Sequence, residues 1–412
     1  MTTSARLAAL NQALVHARGS AFYRDRLPSA PLRSLEGLRR IPFTTKEDLR
    51  RQSPHGLICV PERELLQYHE SSATTGDPVS TWYSGRDLAE IRDELSQWGV
   101  KLTGEDRVLI RFPYALSTIG HFVQAAAQHR GACVIPADSR STITPLSRVV
   151  DLMRKLRVSV LATLSLSAVM LAEAAEMAGL DPRRDFPRLR AIICAGEPLT
   201  ASRRELVQRI WGVPVMDNYG MTETGPLAMD CPNQRLHPWQ DHFLMEILDA
   251  RLEREVAPGD AGNLVVTSLT PRAAPMIRCL TGDRVRRLEQ PCACGRSTAL
   301  EVRGRAEETL WIQGKPFDLW ELEEIVSRLP SRRFWWVTPF QGGLRFVVER
   351  ELEEDGIDPG LLEELTRAHG VRLQVDLVPR GTLYDRKEPL SFGMAGKPVY
   401  IDRAQALVER CS

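Results

Sequence analysis

The sequence predicts an α/β protein in which a large multi-layer N-terminal domain with mainly parallel sheets precedes a small α+β domain. Between about residues 70 and 300, short apolar runs alternate with helical patterns, which is typical of a parallel sheet covered by helices. The 412 residues are enough for about two or three domains. The last hundred or so residues form a compact strand and helix set of their own, within the usual range of domain sizes.

The N-terminal domain is predicted to span residues 1–304 and to begin with a helix over residues 1–30, where apolar side chains recur at helical spacing. A second helix follows Thr44 and Thr45, either of which can cap it. Seven apolar runs are expected to form strands, the last two of them antiparallel: Arg107–Phe112, Ala132–Pro136, Val158–Ala162, Leu189–Cys194, Val213–Asn218, Asn263–Thr270 and Arg278–Leu288.

The C-terminal domain is predicted to span residues 305–412, after a boundary near Gly304–Glu308. Its first helix is amphipathic and begins at Asp318, a residue type that caps helices well. The expected elements, in chain order, are strand Leu310–Ile312, helix Asp318–Leu329, strands Arg333–Pro339 and Leu344–Glu349, helix Pro359–His369 and strand Val371–Val378.

Composition and charge argue against several classes of partner. The formal net charge is +1, so no basic surplus indicates a nucleic acid or an anionic membrane as a partner. The most apolar stretch, Val158–Leu180, contains Glu173 and Glu176 and is therefore expected to be a strand and a helix, not a membrane span. The first 25 residues lack the continuous apolar core of a secretory signal. Eight Cys in such a chain predict reduced thiols and a cytoplasmic location.

A loop rich in small hydroxyl residues follows the strand-like run Leu65–His69. Backbone N–H groups and hydroxyls of such a loop can converge on an anion, which suits a polyphosphate. The alternative is an ordinary Ser/Thr turn. The candidate phosphate-binding residues are Ser71, Ser72, Thr74, Thr75 and Gly76.

A second polar motif, Asp217–Gly225, follows the run Val213–Met216. Tyr219 offers a flat face for a purine, Thr222 a hydroxyl for phosphate, and Glu223 a carboxylate for Mg²⁺. The alternative is a polar turn between a strand and a helix. Farther along, Asp283 lies in a Thr-Gly-Asp turn, where its carboxylate could bind a ribose diol or simply stabilise the turn.

Three Cys and one His have the residue types of a tetrahedral zinc site. Cys231 precedes His237 by six positions, and Cys292 and Cys294 flank an alanine before a glycine. Four protein ligands would leave no open position, so the predicted Zn²⁺ is structural. His242 is the rival to His237 as fourth ligand, and buried thiols beside an unrelated His are the alternative to a metal site.

Taken together and in this order, these motifs resemble those of the phenylacetate–coenzyme A ligase family of adenylate-forming enzymes. The resemblance runs along nearly the whole chain, because further segments match the family's pattern. These segments are Phe22–Leu27, Pro42–Arg50, Ala195–Pro198, Asp241–Phe243 and Gly304-Arg305.

The resemblance implies that a carboxylic acid reacts with ATP and Mg²⁺ to give an acyl-adenylate, which a thiol, usually that of coenzyme A, then attacks. By position, Tyr219 would stack on adenine and Asp283 would hold the ribose, with Arg305 nearby. Thr222 and Glu223 would act on phosphate and Mg²⁺. Further residues of the nucleotide pocket would be Gly196, Glu197, Pro198, Asn218 and Gly220.

The resemblance also assigns two roles in a mobile C-terminal domain. Lys397, in a Gly-Lys pair, would bridge the substrate carboxylate and phosphate during adenylation, and Lys387 is the alternative if the register is shifted. Gly314 resembles the glycine that lines the thiol tunnel after the domain rotates. Only six of the 54 basic residues are Lys. A chain that uses Arg for most of its positive charge should keep Lys where a compact ammonium is needed, which favours a functional role for these Lys residues.

The acyl pocket is expected near the segment 112–120 and around Cys194 and Asn218. Its aromatic and branched side chains favour a flat apolar acid, and therefore an aromatic one, although each of them could equally belong to the core. The candidate pocket residues are Phe112, Tyr114, Ile119, Cys194 and Met221.

Two positions of the phosphate loop depart from the family's pattern. Ala73 replaces a glycine, and Asp77 replaces a lysine, which removes a cation near the β- and γ-phosphates. We expect an active enzyme, with a catalytically weakened homologue acting as a binding subunit as the alternative. A carrier-protein thiol or an amine as acceptor, and a homodimer, also remain open.

Overall fold

The computed structural model describes residues 2–71, 77–97, 99–353, 356–386 and 400–401. The helices within these ranges are α1 Thr3–Ala17, α2 Lys46–Gln52, α3 Gly85–Gln97, α4 Ile119–His129, α5 Leu146–Lys155, α6 Ser165–Met177, α7 Ala201–Trp211, α8 Leu319–Ser327 and α9 Pro359–His369. The strands of the first two thirds are β1 Leu65–Glu70, β2 Ser80–Ser84, β3 Arg107–Ile110, β4 Cys133–Pro136, β5 Val160–Thr163, β6 Ala191–Ala195, β7 Val215–Met221, β8 Gly225–Asp230 and β9 Leu236–Pro238. The remaining strands are β10 Phe243–Leu248, β11 Ala261–Ser268, β12 Cys279–Glu289, β13 Thr298–Arg305, β14 Leu310–Ile312, β15 Lys315–Phe317, β16 Trp335–Phe340, β17 Gly343–Glu349 and β18 Arg372–Val378.

A seven-stranded sheet in the order β4-β3-β5-β6-β7-β8-β9 forms the centre of the molecule. Its first five strands are parallel and its last two antiparallel, which confirms the predicted α/β class. Helices α5, α6 and α7 pack on one face, and α3 and α4 on the other. The inner strands are apolar on both sides because both faces are covered.

A four-stranded antiparallel sheet, β10-β11-β12-β13, packs beside the central sheet and confirms the antiparallel pattern expected there. The β12–β13 hairpin pairs Asp283 with Arg305 at its open end and Glu289 with Thr298 near its turn. Cys292 therefore lies in the turn, at the opposite end of the hairpin from Asp283.

Near the N-terminus, the predicted helix over residues 1–30 is wrong beyond Ala17, where α1 ends. Instead of continuing, the chain turns, and the Ser20 hydroxyl accepts a hydrogen bond from the backbone N–H of Tyr23. The Tyr23 side chain is buried, and its hydroxyl lies 2.9 Å from Thr44 Oγ1. A straight helix would carry Tyr23 away from these partners. Thr45 caps α2 through a capping box with Asp48.

The elements from β14 onward share a core of their own. A three-stranded sheet, β16-β17-β18, packs with α8 and α9, and β14 pairs with β15 as a separate hairpin. Ion pairs join this unit to the rest of the chain: Arg203 of α7 meets Glu323 of α8 at 2.6 Å, and Arg333 contacts Glu173 of α6. Among the described residues, no helix combines the length and the apolarity needed to cross a membrane.

Candidate active site

The carboxyl ends of the central parallel strands bring several predicted residues together. Thr163 pairs with Cys194, and Ala195 pairs with Asn218, so these side chains lie along one edge of the sheet. Asn218 is 3% exposed, and within the described chain neither atom of its amide group has a hydrogen-bond partner. Because a buried amide without partners is costly, it is suited to hydrogen-bond a ligand at this edge.

Tyr219, Asp283 and Arg305, which are far apart in sequence, form a hydrogen-bonded group beside Asn218. The Tyr219 hydroxyl donates to Asp283 Oδ2 at 2.6 Å, and Arg305 Nη1 lies 3.2 Å from Asp283 Oδ1. Burial, followed by the neighbouring Asp283 charge, raises the pKa of Tyr219 far above its usual value, so the phenol keeps its proton. The Asp283 carboxylate is thus presented with a fixed orientation.

The β7–β8 turn carries Thr222 and Glu223 and needs glycine on both sides. A side chain at Gly220 would come within 2.6 Å of the Gly225 carbonyl oxygen, and Gly225 itself has φ +72°. Thr222 is half-buried and Glu223 is buried. Burial raises the pKa of Glu223, whereas the charges of Lys46 and Arg305 lower it.

Lys46, which was not predicted as a site residue, contributes a cation to this cluster. A Cβ placed on Gly282 would lie 4.0 Å from Lys46 Nζ and 3.6 Å from Arg305 Nη1. A side chain there would crowd the two cations, and Gly282 also has φ +80°. The scarcity of Lys in the chain was the signal that could have identified Lys46.

Most of the phosphate-loop prediction, namely Ser72, Thr74, Thr75 and Gly76, together with Ala73, lies outside the described residues. Ser71 closes the base of the loop, because its hydroxyl accepts a hydrogen bond from the Val79 N–H at 3.0 Å. Asp77 is exposed, and its carbonyl accepts a hydrogen bond from Arg50 Nε at 3.2 Å.

The turn Gly196-Glu197-Pro198 follows β6 at the same edge of the sheet. Glu197 Oε1 accepts hydrogen bonds from the Ser165 hydroxyl at 2.7 Å and from the Leu166 N–H at 2.9 Å. This carboxylate oxygen therefore fastens the turn to the first residues of α6.

The predicted acyl-pocket residues differ in their surroundings. Phe112 and Cys194 are fully buried in separate hydrophobic cores, whereas Tyr114, Ile119 and Met221 are half-buried. The Tyr114 hydroxyl donates to Gln124 Oε1 at 3.0 Å.

Cys231, His237, Cys292 and Cys294 converge, with their possible ligand atoms all within 4.8 Å of one another. Cys231 Sγ lies 3.7 Å from Cys292 Sγ, and Cys294 Sγ lies 3.2 Å from His237 Nε2. His237 Nδ1 is 2.6 Å from the Thr298 carbonyl, so the proton is on Nδ1 and the Nε2 lone pair points towards the thiols. His242, the rival ligand, instead lies between Glu90 and Glu94.

The two C-terminal predictions have different outcomes. Gly314 is exposed in the β14–β15 turn, with φ +78°. Lys397 and Lys387 lie outside the described residues. Tyr400, three positions after Lys397, stacks on Trp335 with ring centroids 5.1 Å apart, and its ring lies 5.3 Å from the Arg203 guanidinium.

Solved structures of a 2-hydroxyisobutyryl-CoA ligase have the same fold. Its postadenylation state in complex with R3-HIB-AMP aligns with a TM-score of 0.86, at 23% identity over 99% of this chain and 91% of that one. Its complex with 2-HIB-AMP and CoA in the thioesterification state aligns with a TM-score of 0.69, at 24% identity over 99% of this chain and 92% of that one. Both alignments show that this chain shares the fold of that ligase.

Sequence comparison shows the family to which the chain belongs. The family model described as AMP-binding enzyme matches residues 45–270. A phenylacetate-coenzyme A ligase from Pseudomonas putida is 30% identical over 372 residues, which are 85% of this chain and 83% of that protein. Another from Thermus thermophilus is 31% identical over 75% of this chain and 71% of its own. On this match and coverage, the chain belongs to the phenylacetate-coenzyme A ligase family of AMP-binding enzymes.

Proposed function

We propose that the protein is an ATP-dependent ligase that joins a carboxylic acid to coenzyme A through an acyl-adenylate. The observation that carries the proposal is the buried, unpartnered Asn218 amide beside the Tyr219–Asp283–Arg305 group. An adenine nucleotide fits this arrangement. Its base can stack on the Tyr219 ring, its two ribose hydroxyls can donate to the Asp283 carboxylate, and its polar edges can bond with the Asn218 amide.

In the first step, a carboxylate oxygen of the acid attacks the α-phosphorus of ATP, and pyrophosphate leaves. The Asp283 carboxylate would accept hydrogen bonds from the ribose hydroxyls, and the Tyr219 ring would stack on the adenine. Arg305, held 3.2 Å from Asp283, would keep that carboxylate oriented. These groups contribute mainly by positioning the α-phosphorus for in-line attack.

Glu223, with the Thr222 hydroxyl, would hold Mg²⁺ on the phosphates. Carboxylate oxygens are the ligands that Mg²⁺ prefers, and the buried Glu223 lies among the charges of Lys46 and Arg305, where phosphates would also be attracted. The bound ion would neutralise charge that develops on the phosphates. Lys46 would supply a cation near the phosphates, and its presence in a segment that matches the family's pattern favours an active enzyme over a weakened homologue.

In the second step, the coenzyme A thiolate attacks the acyl carbon and AMP leaves. We propose that residues 305–412 act as a domain that moves relative to residues 1–304 between the steps. Lys397 would then serve adenylation, and Gly314 would line the thiol path. Tyr400, which follows Lys397 by three positions in the sequence, contacts Trp335 of β16 and Arg203 of α7, so the chain just after Lys397 meets both proposed domains.

The proposed substrate is an aromatic acid, supported by the half-buried Tyr114, Ile119 and Met221 near the sheet edge. Coenzyme A is favoured over a carrier-protein thiol or an amine as acceptor because the curated relatives are named as coenzyme A ligases. We also propose a cytoplasmic location, in keeping with the free thiols found among the described residues.

We further propose that Cys231, His237, Cys292 and Cys294 bind one structural Zn²⁺. The donor set fits, because three thiols and a correctly oriented imidazole converge and the His237 ring is held by the Thr298 carbonyl. The ion would join the end of β8 to the β12–β13 turn.

The test of function is pyrophosphate release from ATP with a panel of aryl and alkyl carboxylic acids, followed by product analysis with coenzyme A. Acid-dependent pyrophosphate release, and an acyl-coenzyme A product, are expected for aryl acids. No acid-dependent pyrophosphate release across the panel, with ATP and Mg²⁺ at saturation, would contradict the proposal. Asp283→Asn serves as the matched inactive control.

A further inference from the structure

Two buried side chains hold the turn that carries Glu223, one on each side of it. The Tyr83 hydroxyl, on β2, donates to the Thr222 carbonyl at 2.6 Å. Arg272 Nη1 donates to the Thr224 carbonyl at 3.2 Å. The peptide group between Thr222 and Glu223 and the one between Thr224 and Gly225 are therefore held by hydrogen bonds from outside the β7–β8 hairpin.

Because both donors are buried, the loss of either hydrogen bond is costly. Tyr83 is 3% exposed and Arg272 4% exposed, so a carbonyl that loses its donor cannot turn to water without moving the turn. The turn has little room to move, because a side chain at Gly225 would come within 3.0 Å of Ile91 and 3.4 Å of Phe122.

Arg272 is itself held in place by α3. Its Nη2 donates to Glu90 Oε1 at 2.5 Å, and its guanidinium lies 4.7 Å from the centroid of the Phe243 ring. Glu90 is oriented in turn, since His242 Nδ1 lies 2.9 Å and Thr270 Oγ1 3.2 Å from the same oxygen. The chain of contacts thus runs from α3 through Arg272 to the carbonyl of Thr224, the residue after Glu223.

We propose that Tyr83 and Arg272 are positioning residues that orient the Glu223 carboxylate for Mg²⁺ through the carbonyls of Thr222 and Thr224. Neither side chain needs to touch substrate or metal. The proposal rests on the proposed role of Glu223, and it predicts that loss of either donor weakens the use of Mg²⁺ without changing the use of the acid.

The experiment measures acyl-adenylate formation as a function of Mg²⁺ concentration, together with the KM for the acid and the melting temperature. Tyr83→Phe removes only the hydroxyl, and Arg272→Met removes the guanidinium. We expect each to raise the half-saturating Mg²⁺ concentration by about tenfold, with the acid KM within about twofold of the wild-type value. Arg272→Lys keeps one donor and should recover part of the loss.

Arg204→Lys is the matched control, because Arg204 Nη1 donates to the Val215 carbonyl at 2.8 Å, at the opposite end of the same strand β7. It should lower the melting temperature comparably and leave the Mg²⁺ dependence unchanged. Conversion of a supplied acyl-adenylate to the thioester should be unaffected in every variant.

Glu223→Gln separates the two possible failures. If Glu223→Gln impairs the Mg²⁺-dependent step while Tyr83→Phe and Arg272→Met leave the half-saturating Mg²⁺ concentration unchanged, the positioning role is wrong and the role of Glu223 stands. If Glu223→Gln changes nothing, the proposed role of Glu223 fails and the positioning role fails with it.

Discussion

The ion pair between Arg203 and Glu323 links α7, directly after the Gly196–Pro198 turn, to α8 of the C-terminal unit. Arg203 Nη2 lies 2.6 Å and Arg203 Nε 2.8 Å from Glu323 Oε1, and the Thr200 hydroxyl donates to Oε2. Both charged side chains are at most 5% exposed. Glu323→Gln keeps the shape of the side chain but leaves the Arg203 charge without its counterion.

The burial of the Arg203–Glu323 pair sets the free-energy cost of this substitution. Removing one partner of a buried ion pair costs about 3–5 kcal/mol, and we expect the lower value because the amide oxygen can still accept one hydrogen bond. When the C-terminal unit separates from α7, water hydrates Arg203. The substitution therefore raises the free energy of the docked arrangement and not that of the separated one. About 3 kcal/mol corresponds to roughly a hundredfold fall in the docking equilibrium constant, which sets the largest loss of docked protein.

Adenylation by Glu323→Gln should therefore slow by up to about a hundredfold, while conversion of a supplied acyl-adenylate to the thioester stays within about twofold. Both half-reactions are measured separately, by pyrophosphate release and by thioester formation. Glu364→Gln is the control: its pair with Arg328, at 3.0 Å, has both side chains more than half exposed and should contribute less than about 1 kcal/mol. Equal losses in the two half-reactions, or undiminished adenylation, would refute the reasoning.

Four further outcomes are expected. Cys292→Ala should lower bound Zn²⁺ well below one ion per chain by elemental analysis and should reduce the melting temperature, because a ligand of the cluster is lost. Lys46→Met should weaken ATP binding by about tenfold in calorimetry, since a cation beside Glu223 is removed. Asp77→Lys should tighten ATP by at most about tenfold, less so at high salt, with little change for AMP, which lacks the β- and γ-phosphates. Gly314→Leu should slow thioester formation and spare adenylation, whereas Lys397→Ala should do the reverse.

Each of these expectations has a result that would overturn it. Metal-free but fully active and stable protein would exclude the zinc site. Unchanged ATP affinity in Lys46→Met would place its ammonium away from the phosphates, and unchanged affinity in Asp77→Lys at low salt would do the same for Asp77. Loss of the same half-reaction in Gly314→Leu and Lys397→Ala would contradict their separate roles.

The sequence predicted best those elements whose signals are local. Helix α9, Pro359–His369, begins after a capping Asp358 and ends at Gly370 in a left-handed conformation, and its bounds were predicted correctly. The helix over residues 1–30 was predicted too long because the turn after Ala17 depends on distant partners: the Tyr23 hydroxyl accepts from the Ile277 N–H at 3.1 Å. Periodicity within the first 30 residues carries no information about residue 277.

In the candidate site, too, some residues have a local sequence signal and others depend on distant parts of the chain. Tyr219, Thr222, Glu223 and Asp283 became candidates because their short motifs, taken in order, resemble those of a known family, and the structure brings Tyr219 and Asp283 into contact. Lys46 belongs to none of these motifs and reaches the site from another part of the chain, beside Gly282, so that the scarcity of Lys was the signal available for it.

The choice between His237 and His242 as the fourth member of the cysteine cluster also depends on distant residues. Both residues have a plausible spacing from the thiols, and nothing local distinguishes their imidazoles. The structure separates them by the carboxylates of α3, because Glu90 and Glu94 lie one helical turn apart and both face His242.

The β12–β13 hairpin couples two regions that are chemically unrelated. Asp283 and Arg305 lie at its open end, and Cys292 and Cys294 lie in its turn, with cross-strand pairs between them. Order at one end therefore favours order at the other, and thermodynamic linkage requires the coupling to be equal in both directions. We expect ATP to slow alkylation of the turn thiols, and an intact cysteine cluster to strengthen ATP binding. The reactivity of Cys292 and Cys294 should then report on the occupancy of the proposed nucleotide site, which neither cysteine touches.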